Sequence, residues 1–196
     1  MKRSFSLKND FEKQLFKDLI LIDSDLKHKK FTEVTFDTLD FSQSDFTGSR
    51  FQDCKFTKCN LSLVKIDGCR LQGVEFNDSK LMGINFSKCD QLFLSLQFKK
   101  CLIDTSNFSD LDLKNTSFHE CTIRDVHFTN TNLSNCNFTR SDLKLSTFHN
   151  TNLSKANFQN AINYSINPLT NKLSEAKFSK PEVMALLEHF DILIDS

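Results

Sequence analysis

Seven cysteines and five histidines are the side chains with the widest chemical reach in this 196-residue chain. Thiolates attack electrophiles or bind zinc and imidazoles pass protons, but each needs partners at defined spacings. The cysteines, at 54, 59, 69, 89, 101, 121 and 136, form no CxxC pair, and their odd number argues against a disulfide framework. His28, His119, His127, His149 and His189 stand in no recognisable triad or metal motif. Only four glycines are present, and no glycine-rich phosphate loop can be drawn from them. No catalytic, metal-binding or cofactor-binding residue is therefore assigned, and a non-enzymatic protein without a cofactor is expected.

What does position the cysteines is a repeat of five residues. From Leu26, large apolar residues recur at 31, 36, 41, 46, 51, 56, 61, 66, 71, 76, 81 and 86, thirteen consecutive positions in one phase. The phase fails at Gln91 and resumes two residues later with fourteen more, Phe93, Phe98, Ile103, Phe108, Leu113, Phe118, Ile123, Phe128, Leu133, Phe138, Leu143, Phe148, Leu153 and Phe158. A period of five fits neither the 3.6 residues of a helix nor the 2 of a strand. It fits a chain that turns a corner every five residues, four such sides closing a square coil of twenty. The fold class expected is an all-β solenoid, a right-handed quadrilateral β-helix, with a C-terminal α-helical cap.

In such a coil the large central residue points to the axis, and the residue two before it also points inward and must be small. All seven cysteines fall at that second position, and Ser, Thr, Val or Ala fills most of the others, among them Ser44, Ser49, Val74, Thr131, Ser141 and Ala156. The cysteines thus read as small buried apolar groups. Lys29, Leu39, Ile84, Gln91, Leu96 and Leu111 are the exceptions; Lys29 marks an irregular first coil and Gln91 the phase break. If the two extra residues are absorbed at one corner, Phe36, Phe56, Phe76, Phe98, Phe118, Phe138 and Phe158 fall on one face. The next face carries Phe41, Leu61, Leu81, Ile103, Ile123 and Leu143.

This reading divides the chain into an N-terminal cap or irregular first coil (1–23), the β-helix (24–162, phase break near 87–97) and a terminal turn, helix and tail (163–196). At the N-terminus, Phe11, Phe16 and Leu21 continue the five-residue phase, while Phe11, Leu15, Phe16 and Leu19 also fit a helical stripe, so both remain open. At the other end, Ser179 and Glu182 suit a capping box with Pro181 in the first turn. Val183, Leu186, Leu187, Phe190, Ile192 and Ile194 supply more apolar surface than a cap needs, which suggests a homodimer interface.

Lys plus Arg total 25, as do Asp plus Glu, so no global field directs the chain to nucleic acid or an anionic membrane. No signal-like segment is seen, and a cytoplasmic location is expected. Outward positions are mostly polar, but Leu63, Met82, Leu102 and Leu145 project from the aliphatic face and Leu92 and Leu94 flank the phase break, a candidate partner surface. The most acidic face that can be built holds Asp25, Asp45, Asp67 and Asp110, interrupted by Lys27, Lys65 and Lys88.

The blocks Ser-Asp-Phe-Thr-Gly (44–48), Cys-Asn-Leu-Ser-Leu (59–63), Thr-Asn-Leu-Ser-Asn (131–135), Ser-Asp-Leu-Lys-Leu (141–145) and Ala-Asn-Phe-Gln-Asn (156–160) resemble those of pentapeptide-repeat proteins. Ile166-Asn167-Pro168 through Asn171, and Phe190 to Ile194, resemble the C-terminus of the branch with microcin immunity and quinolone-resistance (Qnr-type) proteins. That resemblance implies a dimeric rod with the width and charge of duplex DNA that binds DNA gyrase or topoisomerase IV and protects it from quinolones or peptide toxins. This chain departs from that branch in being neutral and in lacking long projecting loops. The alternative is a general protein-interaction scaffold with another partner and no DNA mimicry.

Overall fold

The computed structural model describes residues 8–190, 192 and 193. Its strands are two to four residues long, and every strand pairing is parallel, most often to the segment twenty residues later. On the first side of the coil, face A, Asp10–Glu12, Lys30–Thr32, Arg50–Gln52 and Arg70–Gln72 form a four-stranded sheet. On face B, Leu15–Lys17, Thr35–Asp37, Lys55–Thr57, Val74–Asn77, Leu96–Lys99 and Ser117–His119 form a six-stranded sheet. Face C carries Lys80–Met82, Leu102–Asp104 and Thr122–Arg124, and face D is joined mostly by single bridges such as Asp25 to Asp45. The chain is a parallel β-solenoid.

The corners account for the residues between the central ones. At many corners the carbonyl of a central residue accepts the amide three residues on, as from Ser44 to Phe41 at 2.9 Å and from Ser49 to Phe46 at 2.8 Å. The residue before that amide is left-handed, with φ of 63° at Gln43 and 70° at Gly48, as a tight turn of this kind requires. Where an Asp or Asn stands ahead of a central residue it secures the turn by accepting the amide two residues on: Asp40 from Ser42 at 2.8 Å, Asn107 from Ser109 at 2.9 Å, Asn137 from Thr139 at 3.0 Å. The recurrent Asp and Asn of the repeat are therefore corner residues.

Inside, face B stacks phenylalanines at 16, 36, 56, 76, 98, 118, 138, 158 and 178 in eight successive pairs with ring centroids 4.6–5.8 Å apart. The column extends the expected one by Phe16, which continues the repeat phase, and by Phe178. The small inward positions also do more than fit. Ser49 Oγ donates to the Leu26 carbonyl at 2.8 Å, Thr131 Oγ1 to Phe108 at 3.0 Å and Cys136 Sγ to Leu113 at 3.0 Å. Hydroxyl and thiol donors thus add a bond to carbonyls of the coil before, beside the turn amide that some of them, such as that of Leu113, also accept.

The phase break differs from expectation. Phe93, read as an inward residue, is 65% exposed with φ of 62°. The reason is that the first phase persists for three more residues. Asp90 still pairs with Arg70 and its carboxylate accepts the Leu92 amide at 2.9 Å, which makes Phe93 the left-handed corner residue. Leu94, placed on the outer surface from sequence, instead turns inward and packs against the core. The step from Phe76 to Phe98 then absorbs both extra residues, and the rings still stack at 5.2 Å.

Both ends also differ. At the start, Phe11 and Phe16 pair in register with Phe31 and Phe36, so the strand reading holds for the described residues there. Lys29 is buried without disrupting the coil: its Nζ donates to the Lys8 carbonyl at 3.0 Å and to Asn9 Oδ1 at 2.9 Å. At the far end the coil runs past 162. Ser165–Ile166 pairs with Thr147–Phe148 and Lys177–Phe178 with Asn157–Phe158. The expected α-helix is a 3-10 helix, Glu182–His189, and Pro181 precedes it without a side-chain cap. The capping box does not form because its two side chains bond elsewhere. Ser179 Oγ accepts the Asn160 amide at 3.1 Å and the Glu182 carboxylate accepts the Asn163 amide. In earlier coils the equivalent corner amide, such as that of Arg140, donates to a carbonyl of the following coil; at the last coil these side chains take that role.

Candidate interaction surface

Parallel strands about 4.8 Å apart place residues twenty apart side by side on the outside, and the candidate residues sort by face accordingly. Leu63 is 56% exposed at a corner, and its side chain leans over Gly83, where an added Cβ would meet Leu63 Cδ2 at 2.6 Å. Met82 precedes that glycine and lies opposite Asp104 in register; Leu102 lies opposite Lys80, and both apolar side chains are half-buried. Leu63, Met82 and Leu102 thus share face C and its corner, with Met82 and Leu102 on opposite flanks of the central residues. Leu145 is 72% exposed at the same kind of corner, with Gly83, Thr105 and Asp125 at that corner in the three coils between it and Leu63. Leu92 belongs to face A. Sequence reasoning missed Leu15, Ile20 and Ile22, which are exposed on the first coil. Their signal was available, since Ile20 and Ile22 flank the central Leu21.

The four aspartates of the acidic face do share face D and its corner, but they are not a bare anionic surface. Lys27 Nζ lies 3.5 Å from Asp45, Lys88 Nζ lies 3.2 Å from Asp67, and Asp110 accepts Asn130 Nδ2 at 3.0 Å. Asp25 accepts the Lys27 amide at 3.2 Å. Burial alone would raise the Asp45 carboxyl, but the Thr47 hydroxyl and amide and the Lys27 ammonium hold it below the usual carboxylate range. Beyond these aspartates run two amide ladders: Asn150 to Asn130 to Asp110 at 2.8 and 3.0 Å, and Asn152 to Asn132 to Asp112 at 3.1 and 2.9 Å.

All seven cysteines are buried free thiols. Burial pushes Cys54 and Cys59 up to about 11 and Cys69 and Cys136 up to about 12, so thiolate chemistry at neutral pH is disfavoured. The histidines serve the outer hydrogen bonding: His119 Nδ1 and Thr139 Oγ1 are 2.7 Å apart, His127 Nδ1 and Thr147 Oγ1 3.0 Å. Among the described residues no group of three or more His, Cys, Asp and Glu is placed to hold a metal ion, and no helix is long and apolar enough to cross a membrane.

Of the residues suggested for a dimer interface, Val183, Leu186 and Leu187 are half-buried against the end of the solenoid. Phe190 and Ile192 are 39% and 54% exposed. Ile194 lies outside the described residues.

The family model for the pentapeptide repeat region matches residues 29–92, 49–118 and 92–158. Among solved structures, a trypsin-treated form of QnrB1, a plasmid-mediated fluoroquinolone resistance protein, is similar at 16% identity. That match covers 95% of this chain and 92% of the other with a TM-score of 0.68. A second trypsin-treated form of the same protein is similar at 19% identity over 93% of this chain and 100% of the other, with a TM-score of 0.52. Comparison with curated protein sequences finds no match.

Proposed function

The chain belongs to the pentapeptide-repeat family, and from that premise we propose that it is a non-catalytic protein-binding factor that occupies a type II DNA topoisomerase and protects it from inhibitors. The observation that supports this reading is the nearly end-to-end likeness of fold to a fluoroquinolone resistance protein. A solenoid of this kind presents a continuous outer surface on a rigid core, which suits it to lie along another protein. Homodimer formation through Phe190 and Ile192, which expose apolar surface near the C-terminal end, belongs to the same reading.

Charge gives specific support to a second reading. The eight steps of the phenylalanine column span about 38 Å at ordinary strand spacing, over which duplex DNA carries roughly 22 negative charges. This chain has a formal net charge of zero. Several of its carboxylates, moreover, are paired across coils, as in Lys55 to Glu75 at 3.1 Å and Arg140 to Glu120 at 3.2 Å. The alternative is thus a protein-interaction scaffold that does not mimic DNA.

A supercoiling assay with gyrase and topoisomerase IV, titrated with a fluoroquinolone with and without the purified protein, separates the two. The topoisomerase reading expects the inhibitory concentration to rise with added protein. An unchanged inhibition curve, together with no retention of either enzyme on the immobilised protein, leaves the scaffold reading.

A further inference from the structure

Opposite charges often face each other across coils on this surface: Lys17 with Asp37, Lys55 with Glu75, Lys100 with Glu120, Lys155 with Glu175. Face A carries a longer run of like charge than the Asp25 to Asp45 pair of face D. Lys30, Arg50 and Arg70 lie directly opposite one another in three consecutive parallel strands, like charges in register that cost stability. Asp10 faces Lys30 at one end of the row and Asp90 faces Arg70 at the other. Arg70 is held by Asp90, with Nη2 at 2.7 Å and Nε at 3.1 Å from the same carboxylate oxygen. Arg50, in the middle, is exposed and no carboxylate pairs with it among the described residues.

The surroundings leave that row accessible. Two residues before Arg70, Gly68 opens the corner: a Cβ added there would meet nothing within 4 Å. On the other flank Gln52 and Gln72 pair in register and offer amide donors and acceptors. One coil further, Leu92 follows in the outward position of Gln72, and Leu92 and Phe93 are 51% and 65% exposed. Unpaired cations and an unshielded aromatic thus belong to one face, with the coil of Arg70 between Arg50 and Phe93.

We propose that this part of face A docks a short acidic segment of a partner protein, with its carboxylates on Lys30 and Arg50 and an apolar side chain against Leu92 and Phe93. The bracketing aspartates set the length. Three cations in a row span about 10 Å at strand spacing, and a long polyanion would run onto Asp10 and Asp90. The apolar pair likewise selects a protein side chain over a sugar-phosphate backbone. The inference goes beyond the topoisomerase reading and does not depend on it.

The test is fluorescence anisotropy of the full chain with a fluorescein-labelled peptide, Glu-Glu-Glu-Gly-Phe-Leu, at low salt. Binding is expected to weaken roughly tenfold when the glutamates become glutamines or in Arg50→Ala, and about fivefold in Phe93→Ser. Because Arg50 stands between like charges, Arg50→Ala is also expected to keep or raise the thermal midpoint. The proposal is overturned if the acidic peptide binds no more tightly than its glutamine version, if Arg50→Ala leaves binding unchanged or lowers the midpoint, or if an oligothymidylate of equal charge binds more tightly than the peptide.

Discussion

Ser141 shows how one inward side chain ties two coils together. Its hydroxyl donates to the Phe118 carbonyl and accepts the Cys121 amide at 2.9 Å, all in a buried environment. Removing the hydroxyl strands a buried acceptor and a buried donor at once, at a cost of roughly 1–3 kcal/mol. Ser141→Ala is therefore expected to lower the urea midpoint by that amount, and Ser141→Cys by less, because a thiol in the same place still donates, as Cys136 does to Leu113. Equal losses in the two variants would show that size alone matters at this position. The same bonding explains why the repeat alternates serine, threonine and cysteine there so freely: each supplies a donor on a short stem.

Among the elements, the phenylalanine column and the phase break make opposite demands on one residue type. Phe118 is fully buried between Phe98 and Phe138, with centroids at 4.9 and 5.0 Å and planes within 8° of each other. Phe118→Ala leaves a cavity between rings that cannot close without breaking the strand ladder, and a loss of about 3–5 kcal/mol is expected. Phe93→Ala removes an exposed corner side chain and is expected to change stability by less than about 0.5 kcal/mol. Parallel denaturant titrations of the two variants check both values. A large loss at Phe93 would mean that the second phase begins at that residue after all.

For the molecule as a whole, the C-terminal end carries the exposed apolar residues that bear on association. Phe190 and Ile192 expose apolar surface there, and such surface invites association. Sedimentation equilibrium is expected to give twice the 22.6 kDa chain mass, and Phe190→Asp with Ile192→Asp to give the monomer. A wild-type chain that stays monomeric at high concentration would remove the dimer from the functional reading. Sequence alone determined the solenoid, its twenty-residue coil and nearly all of its core, because every coil has the same narrow interior. Large and small inward residues must therefore recur at fixed places, as the Phe118 and Ser141 columns do. Only the tertiary structure decided that Phe93 stays outside and Leu94 goes in, that Ser179 and Glu182 bond coil amides instead of capping a helix, and that Lys30, Arg50 and Arg70 become neighbours. Those outcomes depend on register. An insertion does not announce which corner absorbs it, a last coil bonds whatever donors its missing successor leaves bare, and outward charges carry no periodic constraint until the coils are stacked.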